Sequence, residues 1–389
     1  MPRTPIARPV ALLVTRNFPP LVGGMERVNQ KLLESLAVEW EVLLSGPLGS
    51  AGHAPSAASA MESRIRPLPI FLLASAWKAL RLAVARRPAL VLAGSGLTAP
   101  IAWLAARLSG GRPGVYLHGL DIIAPSRVYQ AFWLPFIRAC RIVLVNSENT
   151  ARLARAAGVA AGRIAILHPG TSIPEPDPAA RERFRSAHDL GARPVLLSVG
   201  RLTRRKGLAE FVERALPRIA SARCDVLLAV IGDEASDALH GTRGSERQRI
   251  LAAASVAGVA ENIRFLGRLD EEGLHSAYFG ADCHVFPVLD LPGDVEGFGM
   301  VALESAAHGL PTVAFNVGGV ADAVAEGRTG QLVAAGDYEG LARAVDAVLS
   351  TPRGNAGEET CRRFAADKSW DRFADRLRLL VRPESGDAA

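Results

Sequence analysis

Cysteine is scarce in this 389-residue chain, and its four residues, Cys140, Cys224, Cys283 and Cys361, stand far apart. With no C-x-x-C pair and no neighbouring histidine spacing, a disulfide scaffold, a zinc module and a dithiol redox centre are disfavoured. The expectation is four reduced, buried thiols in a cytoplasmic protein. Aromatic residues are also few, at 6%, while Gly, Ala, Val and Leu abound, which suits close helix–sheet packing. Long apolar runs are missing: residues 71–76 and 97–106 are the best candidates, and both fall short of the ~20 residues a membrane span needs. After Arg3 and Arg8 the apolar run covers only residues 10–14. That is too short for a signal-peptide core, so no targeting segment is expected. The first strand is not followed by G-x-G-x-x-G, which argues against a nicotinamide dehydrogenase.

About half of the chain is apolar, 49%, enough for a large core. The net charge of +6 conceals an asymmetry: residues 1–175 carry 19 Lys and Arg against 8 Asp and Glu, and residues 176–389 carry 26 against 31. A basic front half suggests an anionic partner for it, such as a membrane surface, a phosphate-bearing acceptor or nucleic acid.

Short apolar runs alternate with helical periodicity throughout. Strands are expected at residues 10–15, 42–45, 89–93, 114–118, 141–146, 194–199, 224–231, 263–266, 281–287 and 311–315. Helices are expected at 25–36, 99–108, 208–220, 247–257, 298–308 and 338–350, with a helical region over 359–381. This is the pattern of an α/β protein with parallel sheets covered on both faces. Residues 45–60 read as a mobile loop. Three prolines within residues 171–179 mark a boundary between an N-terminal domain, 1–172, and a C-terminal domain, 180–365. A last helix and tail, 366–389, pack back toward the N-terminal domain. Ligands of such sheets bind at the carboxyl ends of the strands.

Four motifs fall at strand ends. Gly23-Gly24 precedes a helix and lets a ligand approach the backbone and the free N–H groups of the helix start. His118-Gly119-Leu120-Asp121 closes a strand, where an imidazole can point toward a ligand. Gly200-Arg201-Leu202-Thr203-Arg204-Arg205-Lys206-Gly207 places cations where a diphosphate can be neutralised. Glu296-Gly297-Phe298-Gly299-Met300-Val301-Ala302-Leu303-Glu304 puts one carboxylate before a glycine-rich helix start and another about two turns into an apolar helix. A buried glutamate needs a polar partner, and a ligand can supply it.

Together these residues resemble the GT-B-fold retaining glycosyltransferases of family 4. The E-x7-E motif reads Glu296…Glu304, followed by Ala306-Ala307-His308-Gly309-Leu310-Pro311. The family's N-S element matches Asn146-Ser147, and its P-N-G element matches His168-Pro169-Gly170 with Asn replaced by Pro. The resemblance implies a GT-B fold: two Rossmann-like domains facing across a cleft, with the acceptor on the N-terminal one and the nucleotide sugar on the C-terminal one. It implies a hexosyltransferase in which His118, Glu296, Arg201 and Lys206 are catalytic. Gly23, Gly24, Leu269, Phe298, Gly299, Met300, Val301 and Glu304 bind the donor, Glu304 through the ribose, with the base near residues 265–269. It implies no metal and no cofactor beyond the donor, GDP- or UDP-hexose. The flanks of Glu296 are closest in look to mannosyltransferase-type members. The implied acceptor is lipid-linked or a polysaccharide, in cell-envelope glycan synthesis, and no nucleic acid is implied. Residues 71–87 mix Leu72, Leu73, Trp77, Leu80 and Val84 with Lys78, Arg81, Arg86 and Arg87. They read as a basic amphipathic helix on an anionic bilayer, or as a helix packed on its own sheet. The competing functions are a GT-B sugar-nucleotide epimerase or phosphorylase, and a non-catalytic sugar-nucleotide binding module.

Overall fold

The computed structural model describes residues 8–234, 245–351 and 354–382. The chain divides into two compact units, residues 1–170 together with 370–389, and residues 171–369. Residues 383–389 of the expected tail lie outside the described residues.

The N-terminal unit is built on seven parallel strands: β1 (Val10–Val14), β2 (Glu41–Pro47), β3 (Ser59–Ser63), β4 (Leu90–Ala93), β5 (Arg112–Leu117), β6 (Ile142–Val145) and β7 (Ile164–Ile166). Their order is β3-β2-β1-β4-β5-β6-β7, with Leu12 aligned to Leu43 on one side and to Val91 on the other. Runs such as LLV in β1 and LVLA in β4 are wholly buried, because helices cover a parallel sheet on both faces. Helices α2 (Leu68–Arg86) and α3 (Ala99–Ser109) share one core with the sheet through Ala79, Leu82, Ala83, Ala102 and Ala105. Helix α1 (Gly24–Leu36) packs with the last helix, Trp370–Val381, and the Arg27 guanidinium lies 5.9 Å from the Trp370 ring. Arg112, buried at the start of β5, donates to the carbonyls of Val381 and Arg382, each at 2.8 Å. The last helix is thereby held to the unit that contains the chain's beginning.

The C-terminal unit has six parallel strands: β8 (Val195–Val199), β9 (Leu227–Ile231), β10 (Ile263–Gly267), β11 (Cys283–Phe286), β12 (Thr312–Phe315) and β13 (Gly330–Val333). Their order is β10-β9-β8-β11-β12-β13. In each sheet the strand order reverses once, between β1 and β4 and between β8 and β11. Such reversals leave a crevice at the carboxyl ends, where ligands of open α/β sheets bind. The loops leaving β8 and β11 are the ones that carry the cationic and glutamate motifs.

Several expectations need correction. Residues 45–60 are not an unstructured loop: they hold the end of β2, a 3₁₀ turn at Ser50–His53 and the start of β3. The helix expected at 208–220 is two, Leu208–Arg214 and Leu216–Ala222, because Pro217 opens the second one. Residues 359–381 likewise span two helices, Asn355–Ala366 and Trp370–Val381. Cys224 is exposed, whereas Cys140, Cys283 and Cys361 are buried.

Candidate active site

In the C-terminal unit the chain leaves β8 through Gly200, at φ +137°, and β9 through Gly232, at φ +132°. A Cβ on Gly232 would stand 2.0 Å from the Gly200 carbonyl oxygen, so these strand ends touch backbone to backbone. Beyond them Leu202 is buried, and its N–H donates to the Asp233 carbonyl at 2.8 Å. A 3₁₀ turn, Arg204–Lys206, then ends at Gly207, whose φ is +68° and whose missing Cβ would meet the Pro287 carbonyl oxygen at 2.0 Å. The cationic loop is therefore pressed against the end of β11. The Leu289 N–H donates to the Arg205 carbonyl at 2.8 Å and ties the two loops together.

This contact closes a cluster of four charges. Lys206 Nζ donates to Glu296 Oε2 at 2.8 Å and sits 4.6 Å from the Phe286 ring centroid. Arg205 Nε pairs with Asp294 Oδ1 at 2.9 Å, and its Nη1 pairs with Glu296 Oε2. All four side chains are largely withdrawn from water. Burial pushes the Glu296 carboxyl up, but Arg205 and Lys206 outweigh it and hold it down at about 2. Burial likewise lowers the Lys206 ammonium, while Glu296 opposes the shift. The arrangement is a neutralised, pre-positioned pair of cations at the switch point. Arg201 is exposed beside it.

The second half of the motif is shaped by two glycines outside it, Gly318 and Gly319. Gly319 N–H donates to the Glu296 carbonyl at 2.8 Å. A Cβ on Gly318 would lie 2.4 Å from the Glu296 oxygen, and one on Gly319 would lie 2.1 Å from the Gly297 oxygen. The signal was present as Gly318-Gly319 after β12. The helix begins at Met300, not at Phe298, because Gly299 takes φ +93° and stands outside it. Phe298 is buried in the core and anchors the loop, and Met300 and Val301 supply the first turn. Glu304 Oε2 accepts from the Tyr278 hydroxyl at 3.2 Å. Leu269, past the end of β10, packs its side chain against the apolar cluster that includes Leu197 and Ile231. Arg247 lies 4.8 Å from the ring of Phe265.

Behind these groups are two buried histidines, His284 on β11 and His308 after the helix. His284 Nδ1 is 3.1 Å from Thr312 Oγ1, and its Nε2 is buried with no partner among the described residues. Burial and the nearby Lys206 push it down to about 3. His308 Nδ1 donates to the Glu304 carbonyl at 2.7 Å, its Nε2 is 3.2 Å from His275 Nδ1, and Tyr278 stacks on its ring. Burial lowers it to about 4; the Glu304 carbonyl opposes the shift, and His275 and Arg362 add to it. Both are neutral in the fold, while the unfolded chain binds a proton at each near 6.5. Stability is therefore full above that pH and falls as pH drops toward 4, by up to ~1.4 kcal/mol per unit for each histidine. Thermal melts between pH 7 and pH 5 are expected to show this acid loss, and His284→Phe to remove about one proton's worth of the slope. An unchanged slope in that variant would contradict the assignment.

The N-terminal unit presents its own polar group at the β1–β4 switch point. His118 Nε2 lies 2.9 Å from the Gly94 carbonyl, an oxygen that can only accept a hydrogen bond. Asp121 accepts from the N–H groups of His118 and Gly119 with Oδ1 and of Gly96 with Oδ2, at 2.9, 3.0 and 2.9 Å. Asn146 Nδ2 donates to the His118 carbonyl at 3.2 Å. The backbone at His118 is thus fixed by Asp121 of the H-G-x-D motif and by Asn146 of the N-S element, and the imidazole by the Gly94 carbonyl. Gly23 is extended before α1, and a Cβ there would fall 2.3 Å from Glu26 Oε2. Glu26 accepts from Asn17 at 2.8 Å, and buried Asn29 bonds to Asn17 and Gly94 carbonyls. Glu26 and Asn29 organise the Gly23-Gly24 turn and have no part in the sequence motifs, whereas Asp121, the last residue of H-G-x-D, holds the loop after β5. Arg201, Lys206, Glu296 and Glu304 lie in the C-terminal unit, and His118, Gly23 and Gly24 in the N-terminal one.

Comparison with known proteins places these features. Residues 180–381 match the family described as "Glycosyl transferases group 1", and residues 22–173 match "Glycosyltransferase Family 4". The chain is 29% identical over 379 residues to a GDP-mannose-dependent alpha-(1-6)-phosphatidylinositol monomannoside mannosyltransferase of Mycolicibacterium smegmatis, covering 92% of this chain and 94% of that protein. It is 30% identical over 316 residues to the protein of the same description in Mycobacterium tuberculosis H37Rv, covering 76% of each. Among solved structures, Anabaena Alr3699/HepE in complex with UDP superimposes with a TM-score of 0.78 at 18% identity, over 95% of this chain and 98% of that one. A glycosyltransferase from Rickettsia africae ESF-5 does so with a TM-score of 0.79 at 17% identity, over 97% and 100%.

Proposed function

Because the chain belongs to the glycosyl transferases group 1 family and is a GT-B hexosyltransferase, we propose that it is a retaining mannosyltransferase. In this reading it uses GDP-mannose and needs no metal. It acts on a lipid-linked or glycan acceptor at the cytoplasmic face of a membrane, in cell-envelope glycan synthesis. The observation that carries the reading is the Lys206–Glu296 pair held at the β8–β11 switch point. Support for mannose comes from the relatives named as GDP-mannose-dependent enzymes, one of which runs along nearly the whole chain.

When the bond between the sugar's anomeric carbon and the phosphate breaks, negative charge develops on the departing diphosphate. Lys206, Arg201 and the N–H groups of Met300 and Val301 receive that charge as fixed electrostatic partners. Glu296, held ionised by Arg205 and Lys206, accepts from sugar hydroxyls. Glu304, oriented by Tyr278, accepts from the ribose. His118 contacts the donor sugar near the reacting carbon. The acceptor oxygen bonds to that carbon on the same face, and its proton passes to the leaving phosphate oxygen, so no separate base is required.

A panel of GDP-mannose, UDP-glucose and ADP-glucose, scored for donor hydrolysis and thermal stabilisation, tests the donor. GDP-mannose is expected to give the largest shift and the fastest turnover. A response confined to a UDP- or ADP-sugar would overturn the donor assignment.

A further inference from the structure

Between Glu62 and Asp121 the chain carries eight Lys and Arg and not one Asp or Glu. This stretch forms α2, β4, α3 and β5, and its two helices carry six exposed large apolar side chains beyond residue 68. Helix α2 has a buried side, Phe71, Ser75, Ala79, Leu82 and Ala83, facing the sheet. Its opposite side shows Ile70, Leu73, Trp77 and Val84 at helical spacing, with Leu73 exposed to 73% and Trp77 to 59%. The neighbouring α3 adds exposed Leu104 and Leu108. Cations frame these residues: Arg81 lies 5.6 Å from the Trp77 ring, Arg107 lies 5.8 Å from the Trp103 ring, and Arg64, Arg66 and Arg87 are exposed at the two ends of α2.

We infer that this α2–α3 face docks flat on an anionic bilayer, with Leu73 and Trp77 entering the interfacial layer. The inference rests on the lipid-linked acceptor of the preceding section and supplies the surface through which the enzyme reaches it. Monomeric soluble proteins rarely expose a contiguous apolar patch of this kind without a partner. Neither α2 nor α3 contributes an acidic residue to this face. Arg86 is paired with Glu41 of β2, and Lys78 is turned to the Glu62 carbonyl; the exposed cations complementary to an anionic lipid surface are Arg64, Arg66, Arg81, Arg87 and Arg107. As a helix, α2 has the length and mean hydropathy of a membrane span, although the sequence holds no unbroken apolar run of that length. Spanning is ruled out by the residues it gives to the core: withdrawing Phe71, Ala79 and Leu82 into lipid would strip the sheet. The helix therefore lies along the membrane. Because α2 starts after the carboxyl end of β3, its Ile70–Leu73 end is at the rim where His118 stands. A lipid headgroup held at that rim keeps its chains in the bilayer.

The test is co-sedimentation of the full-length protein with vesicles of phosphatidylcholine, with and without one-third phosphatidylglycerol, at low and high salt. The wild-type protein is expected to pellet with the anionic vesicles at low salt, and a Leu73→Glu/Trp77→Glu variant to lose at least tenfold in partitioning. That variant should keep its melting temperature and its lipid-free hydrolysis of the donor. Trp77→Phe should remove a blue-shifted component of tryptophan emission that appears only with vesicles. Failure of the wild type to pellet, equal pelleting of the double variant, or a concentration-dependent dimer that the double variant abolishes would each overturn the inference. Donor hydrolysis without lipid separates this outcome from the assignment of the reaction: a variant that hydrolyses donor but ignores vesicles bears on the surface alone.

Discussion

Glu296→Gln is expected to lower kcat for transfer by about 10²- to 10³-fold, the size usually seen when one pre-organised partner of a transition state is removed. The amide keeps the shape of the carboxylate but not its charge. Arg205 then retains Asp294 alone, at 2.9 Å, and Lys206 loses its anionic partner in a site shielded from water. Leaving a buried cation unpaired costs on the order of 3 kcal/mol, so the melting temperature should fall as well. The two effects can be separated. In Glu296→Gln/Lys206→Met no unpaired ammonium remains, and stability should recover part of the loss while activity falls further. Steady-state kinetics with GDP-mannose and thermal melts on the two single variants and the double variant form the cycle. Near-normal kcat in Glu296→Gln would remove this carboxylate from the chemistry. Additive destabilisation would show that the pair is not coupled. The wild-type pair also has a defined acid limit. Because the Glu296 carboxyl is held at about 2, its contribution is present above the ordinary carboxylate range near 4.5 and is lost only as pH falls through that lower value.

The cluster explains why this loop holds three consecutive cations. Arg205 is shared between Asp294 and Glu296, Lys206 pairs with Glu296 alone, and Arg201 and Arg204 are exposed; in the proposed reading Lys206 and Arg201 are the two that meet the diphosphate. A run of like charges in a sequence does not reveal this division. It depends on Asp294, far along the chain, and on the Gly207–Pro287 contact that brings the loops together. The alternation of buried strands and helices was readable because parallel strands covered on both faces are continuous apolar runs. The edge strand β3, residues 59–63 (SAMES), was not, since an edge strand with one neighbour needs little apolar surface. The start of the Met300 helix was misplaced by two residues for a local reason: Phe298 is apolar and fits the periodicity, but it is buried in the core while Gly299 turns the chain with positive φ. The motif residues Lys206, Glu296 and Glu304 could be proposed from sequence because each type does chemistry that few others can. Their supports, Arg205, Asp294, Tyr278 and Gly319, could not, because any of many polar or small residues can hold a neighbour in place.

Gly319→Ala tests such a support. The backbone of Gly319 is at φ −90°, ψ 8°, which alanine adopts without strain. The new methyl group would instead meet the Gly297 carbonyl oxygen at 2.1 Å and the Phe298 Cα at 2.9 Å. Neither atom is the free end of a flexible side chain, so the loop that carries Glu296 must move away from β12. A displacement of about 1 Å in a positioned catalytic group costs on the order of 10²-fold in rate, and overpacking costs about 1–3 kcal/mol in stability. Gly319→Ala is therefore expected to fold, to melt several degrees lower, and to lose roughly 10²-fold in kcat without any charged group having changed. Gly357→Ala is the control: it lies in the helix Asn355–Ala366 with nothing within 4 Å of the added Cβ, so alanine should stabilise the protein by up to ~1 kcal/mol and leave kcat alone. If Gly319→Ala kept full activity, Glu296 would be held by its ion pairs alone, and the glycine contact would be incidental to catalysis. If it lost activity while Gly357→Ala did not, the position of the carboxylate, and not only its charge, would be a requirement of the reaction.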